Sequence, residues 1–475
     1  MSRTKIVITI GPSSCTPRAL QSLVEAGADV ARLNGSHGDL KWHADAINLV
    51  RQVAPQMPVL LDLPGRKIRT LTLEHEPAFS VGDYIVLTTI PGHNGQEKVS
   101  VSDANLHSYV GVGDAILADD GQVRFTVEKV TGRDIVCRAE TDGVLHSRKG
   151  LNLPGVLLQT PLVTERDREL LAFAARIGVD FVGISFVENA NHVRAIRSMI
   201  GKNIPRIVSK IENQGALERS EEIIDASDAI MIDRGDLSAE TGLYNVALLQ
   251  KQILSAARKA GKPAIVATEL LHSMVNNPFP TKAEISDISN AVLDGASAIM
   301  LSNETAIGRF PVEAVATMHR TAQAAADYMQ SKLDQRDKQA DYSVPQAIGD
   351  AIAIICRRLP ITKIVAITLS GFAARMVAAG LPRQPILAVS NDPASVRSFR
   401  LLAGTEGFLV DIPFSRTSTD HIPKCLEALW RCGELIDGDL VLVTSVGYPK
   451  SGNRMNLIQT HNVSDLRESL GWSLS

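Results

Sequence analysis

The sequence predicts an α/β protein built on a (β/α)8, TIM-type barrel, with a β-barrel lid inserted at one loop and a separate α/β domain at the C-terminal end. Three observations predict it. Eight short apolar runs recur with amphipathic segments between them. A β-rich stretch breaks the rhythm once, between the third and fourth runs. A polar stretch then separates the eighth unit from further α/β elements.

The runs are KIVITIG (5–11), VARLNGS (30–36), VLLDL (59–63), DFVGISF (180–186), RIVSKIE (206–212), AIMIDRGD (229–236), AIVATE (264–269) and AIMLSNET (298–305). Runs this apolar suit parallel strands covered by helices. Segments such as Pro17 to Ala26 and Val246 to Lys259 supply the helices. Any one run fits many folds; eight βα units in sequence point to a barrel. Residues 67–154 carry turn signals at Gly82-Asp83, Gly92, Gly113-Asp114, Asp120-Gly121 and Gly132, as a small β domain would. That insertion follows Asp62, so it falls on the functional face of the barrel and reads as a lid. Gln330 to Tyr342 reads as a linker, with strands beyond it near KIVAITL (363–369), PILAVS (385–390) and LVLVTSV (440–446). The expected units are therefore the barrel (1–66 and 155–335), the lid (67–154) and the C-terminal α/β domain (343–475).

Composition narrows the function classes. The 475 residues carry a net charge of −3, which implies no nucleic-acid partner. No run of 18 or more apolar residues exists, so no membrane span is expected. Cys15, Cys137, Cys356, Cys425 and Cys432 form no C-x-x-C pair, which fits reduced thiols in a cytoplasm and gives no zinc site. The N-terminal MSRTKIVITIGPSS has no signal-peptide layout.

In such a barrel the chemistry gathers at the C-terminal ends of the strands. Those ends carry Arg32, Asn34, Ser36, His37, Asp62, Ser185, Lys210, Glu212, Arg234, Asp236, Thr268, Ser302 and Glu304. Residues i and i+2 of a strand point to one side. Lys210 and Glu212 therefore leave their strand together, and Arg234 and Asp236 are expected to do so on the next. Glu212 and Asp236 are hard carboxylate ligands suited to Mg²⁺ or Mn²⁺, the competing reading being ion pairs with Lys210 or Arg234. Lys210 is placed to stabilise charge on a transferring phosphoryl group. Thr268 and Ser302 could orient a water or a carboxylate. RGDLSAE (234–240) offers main-chain N–H groups to an anion if a helix starts near Leu237.

TKIVITIGPSS, ARLNGSHG, LLDLPGRKIRT, KGLNLPG, VSKIEN, IMIDRGDLSAE, ATELLHSM and NNPFPTKAEISDISNAVLDGASAIMLSNETAIGRFPVEAV together resemble the pyruvate kinase family over essentially the whole chain. The resemblance implies phosphoryl transfer from phosphoenolpyruvate to ADP, giving pyruvate and ATP in glycolysis. It also implies a homotetramer with a regulatory C-terminal domain. By motif, Glu212 and Asp236 bind Mg²⁺, while Lys210 and Arg32 act on the transferring group. Gly235, Asp236, Thr268 and Ser185 hold the substrate, and Thr268 and Ser302 lie where the enolate is protonated. Arg69, His37, Asn34 and Lys149 face the nucleotide. Asn34, Ser36, Asp62 and the carbonyl of Leu63 match a monovalent-cation site, with Asp120 closing over from the lid. Thr368, Ser370 and Gly371 resemble a loop for a phosphorylated effector.

The chain departs from the family pattern at Gly35, Lys67, Asp233, Ser238, Glu269 and Asn303. Lys67 stands where a Glu is usual, so its ammonium near Asp62 is expected to supply the charge of K⁺ and remove the need for that ion. Asp233 and Glu269 add acids beside the substrate loops. Asp233 is one residue out of phase with Arg234, which would turn it away from the cleft on a continuing strand; the sequence leaves its direction open. Two alternatives stay open on sequence alone: a divergent paralogue using another enol phosphate or acceptor, and a non-catalytic effector-binding homologue.

Overall fold

The computed structural model describes residues 4–119, 121–156, 162–200, 205–332, 343–415, 418–446 and 455–473. Asp120 and most of the expected linker lie outside the described residues. Eight parallel strands close a barrel: Lys5–Thr9, Val30–Asn34, Val59–Leu63, Phe181–Ile184, Arg206–Ile211, Ala229–Asp233, Ala264–Ala267 and Ala298–Leu301. Each pairs with its neighbours in sequence, and Lys5 pairing with Ala298 closes the ring.

Strand alternation sorts the side chains into two sets. One faces the helices and forms the main core, including Ile8, Leu33, Leu61, Ile184, Ile211, Ile232 and Leu301. The other fills the barrel interior: Val7, Val30, Leu60, Phe181, Val208, Ala229, Met231, Ile265 and Met300 among them. The next inward positions along these strands are Thr9, Arg32, Asp62, Lys210 and Asp233. The polar site is thus the last layer of the barrel interior.

Two expectations about the sixth and eighth units need correction. The sixth strand ends at Asp233, and a helix begins at once, Arg234–Thr241. Arg234 and Asp236 are therefore in a first helical turn and do not share a strand face. The helix after the eighth strand runs Pro311–Lys332, further than the polar sequence from Gln330 suggests.

The inserted segment forms a seven-stranded sheet from Ile68–Arg69 to Gly150–Asn152. It packs around Leu87, Ile116, Phe125, Val127, Ile135 and Cys137. A Thr70–Val101 bridge and the Ser102 N–H donating to the Arg69 carbonyl (2.8 Å) link its two edges, so the sheet curls as the expected β lid does. The C-terminal sheet has five strands, ordered Thr405–Leu409, Ile386–Ser390, Lys363–Ile367, Leu440–Ser445, Leu457–Asn462. Its two edge strands were not expected. TEGFL and LIQTHN are half-exposed and lack the continuous apolar run of a buried strand.

The C-terminal unit docks on the end of the barrel opposite the polar layer. Leu401 joins the interior apolar cluster. Lys5 bridges Asp29 (3.4 Å) and Glu406 (3.1 Å), and buried Asp180 accepts from Arg51 and Arg397, both at 2.7 Å.

Candidate active site

The centre of the polar layer is Lys210. Its ammonium lies 2.9 Å from Glu212, 3.0 Å from Asp233 and 3.3 Å from the Ser185 hydroxyl. Glu212, Asp233 and Asp236 each present a carboxylate oxygen within 4.8 Å of the other two, and all three are buried. The direction of Asp233, open in the sequence, is into the site. Because the strand ends at Asp233, it keeps the inward phase of Ala229 and Met231, and it is Arg234 that leaves sideways. The Arg234 guanidinium donates to Asp287 (2.8 Å) and to the Thr268 carbonyl (2.6 Å).

Electrostatics follow from burial against pairing. Burial works against the Lys210 ammonium, but Glu212, Asp233 and Asp62 outweigh it and hold its pKa above the usual value. Burial pushes the Glu212 carboxyl above the usual carboxylate range, and Lys210 pulls against it. Asp233 is opposed by burial too, yet Lys210 and then Lys67 hold it below the usual carboxylate range. Glu212 and Asp236, two buried carboxylates with Asp233 and two ammonium groups alongside, make a donor set that fits a hard divalent cation.

The neighbouring side chains are fixed by the strand ends. Arg32 donates to Asp62 (2.6 Å) and Thr9 (3.1 Å). The other oxygen of Asp62 is buried without a hydrogen-bond partner. Gly183 makes room for it, since a Cβ there would lie 1.8 Å from that oxygen. Gly35 is explained in the same way: a Cβ would come within 2.4 Å of the Asp62 carbonyl, to which the Gly35 N–H donates. Asn34 accepts from the Ser36 N–H (3.1 Å), and Leu63 is buried beside them.

Thr268 holds a left-handed backbone, φ 69°. Its hydroxyl donates to the Ala267 carbonyl and accepts from the Gly235 N–H at 3.1 Å, tying the seventh strand end to the helix at 234. Ser302 stands before the helix Asn303–Ala306, its N–H bound by Glu304 (2.8 Å). Glu269 is exposed and lines a cavity of about 330 Å³ with Arg234 and Asp287, which pair with each other.

The lid reaches this layer through two residues. Lys67 donates to Asp236 at 2.5 Å, so the expected ammonium is in the site but stands on the Asp236 carboxylate. Asn152 donates to Asp236 (3.1 Å) and Glu240 (3.3 Å). Sequence reasoning missed Asn152 and Glu240. Burial lifts the Glu240 carboxyl to about 7. Arg69 and His37 stand at the rim; partial burial, then Arg69 and Arg32, hold the His37 imidazole below its usual value. Lys149 is drawn to Asp119 within the lid, at 2.7 Å. In the C-terminal unit the Thr368 hydroxyl accepts from the Gly371 N–H (3.1 Å), closing the turn that Ser370 occupies.

Comparisons with known proteins agree with this geometry. Residues 1–315 match the family description "Pyruvate kinase, barrel domain", and residues 346–461 match "Pyruvate kinase, alpha/beta domain". The pyruvate kinase of Geobacillus stearothermophilus is 38% identical over 478 residues, covering 98% of this chain and 81% of that protein. "Pyruvate kinase 2" of Synechocystis is 39% identical, covering 93% and 76%. The pyruvate kinase of Mycobacterium intracellulare is 36% identical, covering 98% and 99%. The chain belongs to the pyruvate kinase family.

Proposed function

We propose that the Lys210 cluster is where the chain moves the phosphoryl group of phosphoenolpyruvate to ADP, giving pyruvate and ATP. The observation that carries this reading is the meeting of Glu212, Asp233, Asp236 and Lys210 at the mouth of the barrel, under the lid. Glu212 and Asp236 would hold Mg²⁺ or Mn²⁺. When bound, the ion supplies positive charge against the charge that develops on transfer.

The chain's own residues do the rest. Lys210, fully charged and pinned between two carboxylates, stabilises the transferring group without reorganising. Arg32, braced by Asp62 and Thr9, presents a second fixed cation to it. The N-terminus of the helix Arg234–Thr241, with Gly235 and Asp236 in its first turn, faces the substrate carboxylate, and Thr268 fixes its position. Ser185 lines the substrate side next to Lys210. Thr268 and Ser302 stand at the end of the seventh and eighth strands, where the enolate takes up a proton. Arg69, His37, Asn34 and Lys149 form the nucleotide rim, and the lid excludes water.

Lys67, on Asp236, brings into the site a positive charge in place of the one K⁺ would bring at Asn34, Ser36, Asp62 and Leu63, so added K⁺ is not required. Thr368, Ser370 and Gly371 form the effector-phosphate turn. The working assembly is a homotetramer in the cytoplasm. Among the described residues no helix is long and apolar enough to cross a membrane.

The test is turnover of phosphoenolpyruvate, ADP and Mg²⁺ with tetramethylammonium as the monovalent cation, followed by addition of K⁺. The expected result is near-full activity before K⁺ is added. Large activation by K⁺ would refute the charge replacement, and Lys67→Glu should create a K⁺ requirement.

A further inference from the structure

Lys210 has two carboxylates on one ammonium: Glu212 at 2.9 Å and Asp233 at 3.0 Å. Charge neutrality needs one. Glu212 has a second duty under the reading above, as a ligand of the divalent cation. An ammonium within contact distance of a carboxylate competes with an arriving dication for it. Without another acid, engaging the cation would leave a buried ammonium poorly paired, which is costly.

Asp233 is placed to resolve that conflict. It immediately precedes the helix Arg234–Thr241, where an aspartate ordinarily accepts from an amide of the first turn. This one makes no capping bond. Its inward phase with Ala229 and Met231 carries the carboxylate into the barrel, onto Lys210. The second ammonium of the site, Lys67, stands on Asp236 at 2.5 Å. Two cations therefore face the two carboxylates that the metal reading assigns as ligands; Asp62 is taken up by Arg32, and Asp233 is the carboxylate in contact with Lys210 that is left to offset them.

We propose that Asp233 is a positioning residue for phosphoryl transfer: it retains the Lys210 ammonium when Glu212 turns to the divalent cation, and its charge offsets the cations that would repel that ion. This rests on the metal reading of Glu212 and Asp236, so the experiment separates the two. Mn²⁺ is titrated into the whole protein without substrate, and free Mn²⁺ is read by electron paramagnetic resonance. Asp233→Ala and the near-isosteric Asp233→Asn should each weaken Mn²⁺ binding about tenfold or more, and Asp233→Glu should recover most of it. Unchanged Mn²⁺ affinity in both variants, alongside loss of binding in Glu212→Gln, would overturn the role of Asp233 and leave the metal reading intact. Wild-type binding in Glu212→Gln would remove the metal reading and this inference with it. A shift in melting temperature with no change in Mn²⁺ affinity would make Asp233 merely structural and would also overturn the proposal.

Discussion

At Lys210 burial disfavours the ammonium while Glu212 and Asp233 favour it, and the carboxylates win. The side chain therefore stays charged, and under the proposed function that charge faces the transferring group. A group of that kind acts mainly in the transition state, so Lys210→Met should lower kcat and kcat/KM together, by roughly two to four decades. Steady-state kinetics with phosphoenolpyruvate varied checks this; a rise in KM alone would mean that Lys210 only binds. Burial at His192 goes the other way. Its ring is enclosed, with Nδ1 lacking a hydrogen-bond partner, and burial, then Arg66, pushes its pKa down to about 4 from 6.5. The unfolded chain takes up a proton below pH 6.5 that the folded chain refuses. The stability tied to neutral His192 is therefore whole above pH 6.5 and is lost as pH falls through about 4. His192→Gln should flatten the fall of the urea midpoint across that window, and an unchanged slope would assign the acid sensitivity elsewhere.

Most of the residues at the site were legible because a strand repeats every two positions. Lys210 follows Val208 inward, Asp62 follows Leu60 and Arg32 follows Val30. The direction of Asp233 stayed open for a local reason: with Arg234 taken as strand, the phase of the run was counted from that residue. A strand that stops at Asp233 puts that residue in line with Met231. Asn152 and Glu240 stand in two separate motifs, KGLNLPG and IMIDRGDLSAE, and no spacing joins them, since the lid fold alone brings them together across 88 positions.

At the scale of elements, the lid is a complete curled sheet with its own core, tied to the site by Lys67 and Asn152. Its ends, Ile68–Arg69 and Gly150–Asn152, are paired antiparallel neighbours, so the chain can be closed there with a short linker. Replacing residues between about 70 and 148 in this way should leave a folded barrel, because the lid and barrel cores are separate clusters. Transfer should drop about a hundredfold or more, since water is no longer excluded. Far-ultraviolet circular dichroism and single-turnover rates check the two halves of this prediction; an unchanged rate would make the lid decorative. The existence of the lid was readable from its glycine turns. Its hydrogen bonds to the helix Arg234–Thr241 were not, because that helix was expected to begin three residues later.

For the whole molecule, the C-terminal unit closes the barrel end opposite the chemistry. Leu401 plugs the interior, and Asp180, fully buried, joins Arg51 and Arg397 from the two units. Removing one member of a buried pair leaves uncompensated charge, at about 3–5 kcal/mol. Asp180→Ala leaves the partly exposed Arg51 and Arg397 to water, so it should lower stability by less than that in denaturant titration, with a smaller loss again for Arg397→Ala, which leaves Asp180 paired with Arg51. Nothing in the local sequence marks Asp180 or Leu401 for this role, because docking depends on how two folded units meet.

The central claim is that phosphoryl transfer from phosphoenolpyruvate to ADP depends on a divalent cation held by Glu212 and Asp236. The most direct measurement is pyruvate formation by the wild type with Mg²⁺, by the wild type in excess chelator, and by Glu212→Gln and Asp236→Asn with Mg²⁺. The account predicts steady turnover in the first case and near-complete loss in the other three. Full activity in chelator, or in either variant, would contradict it.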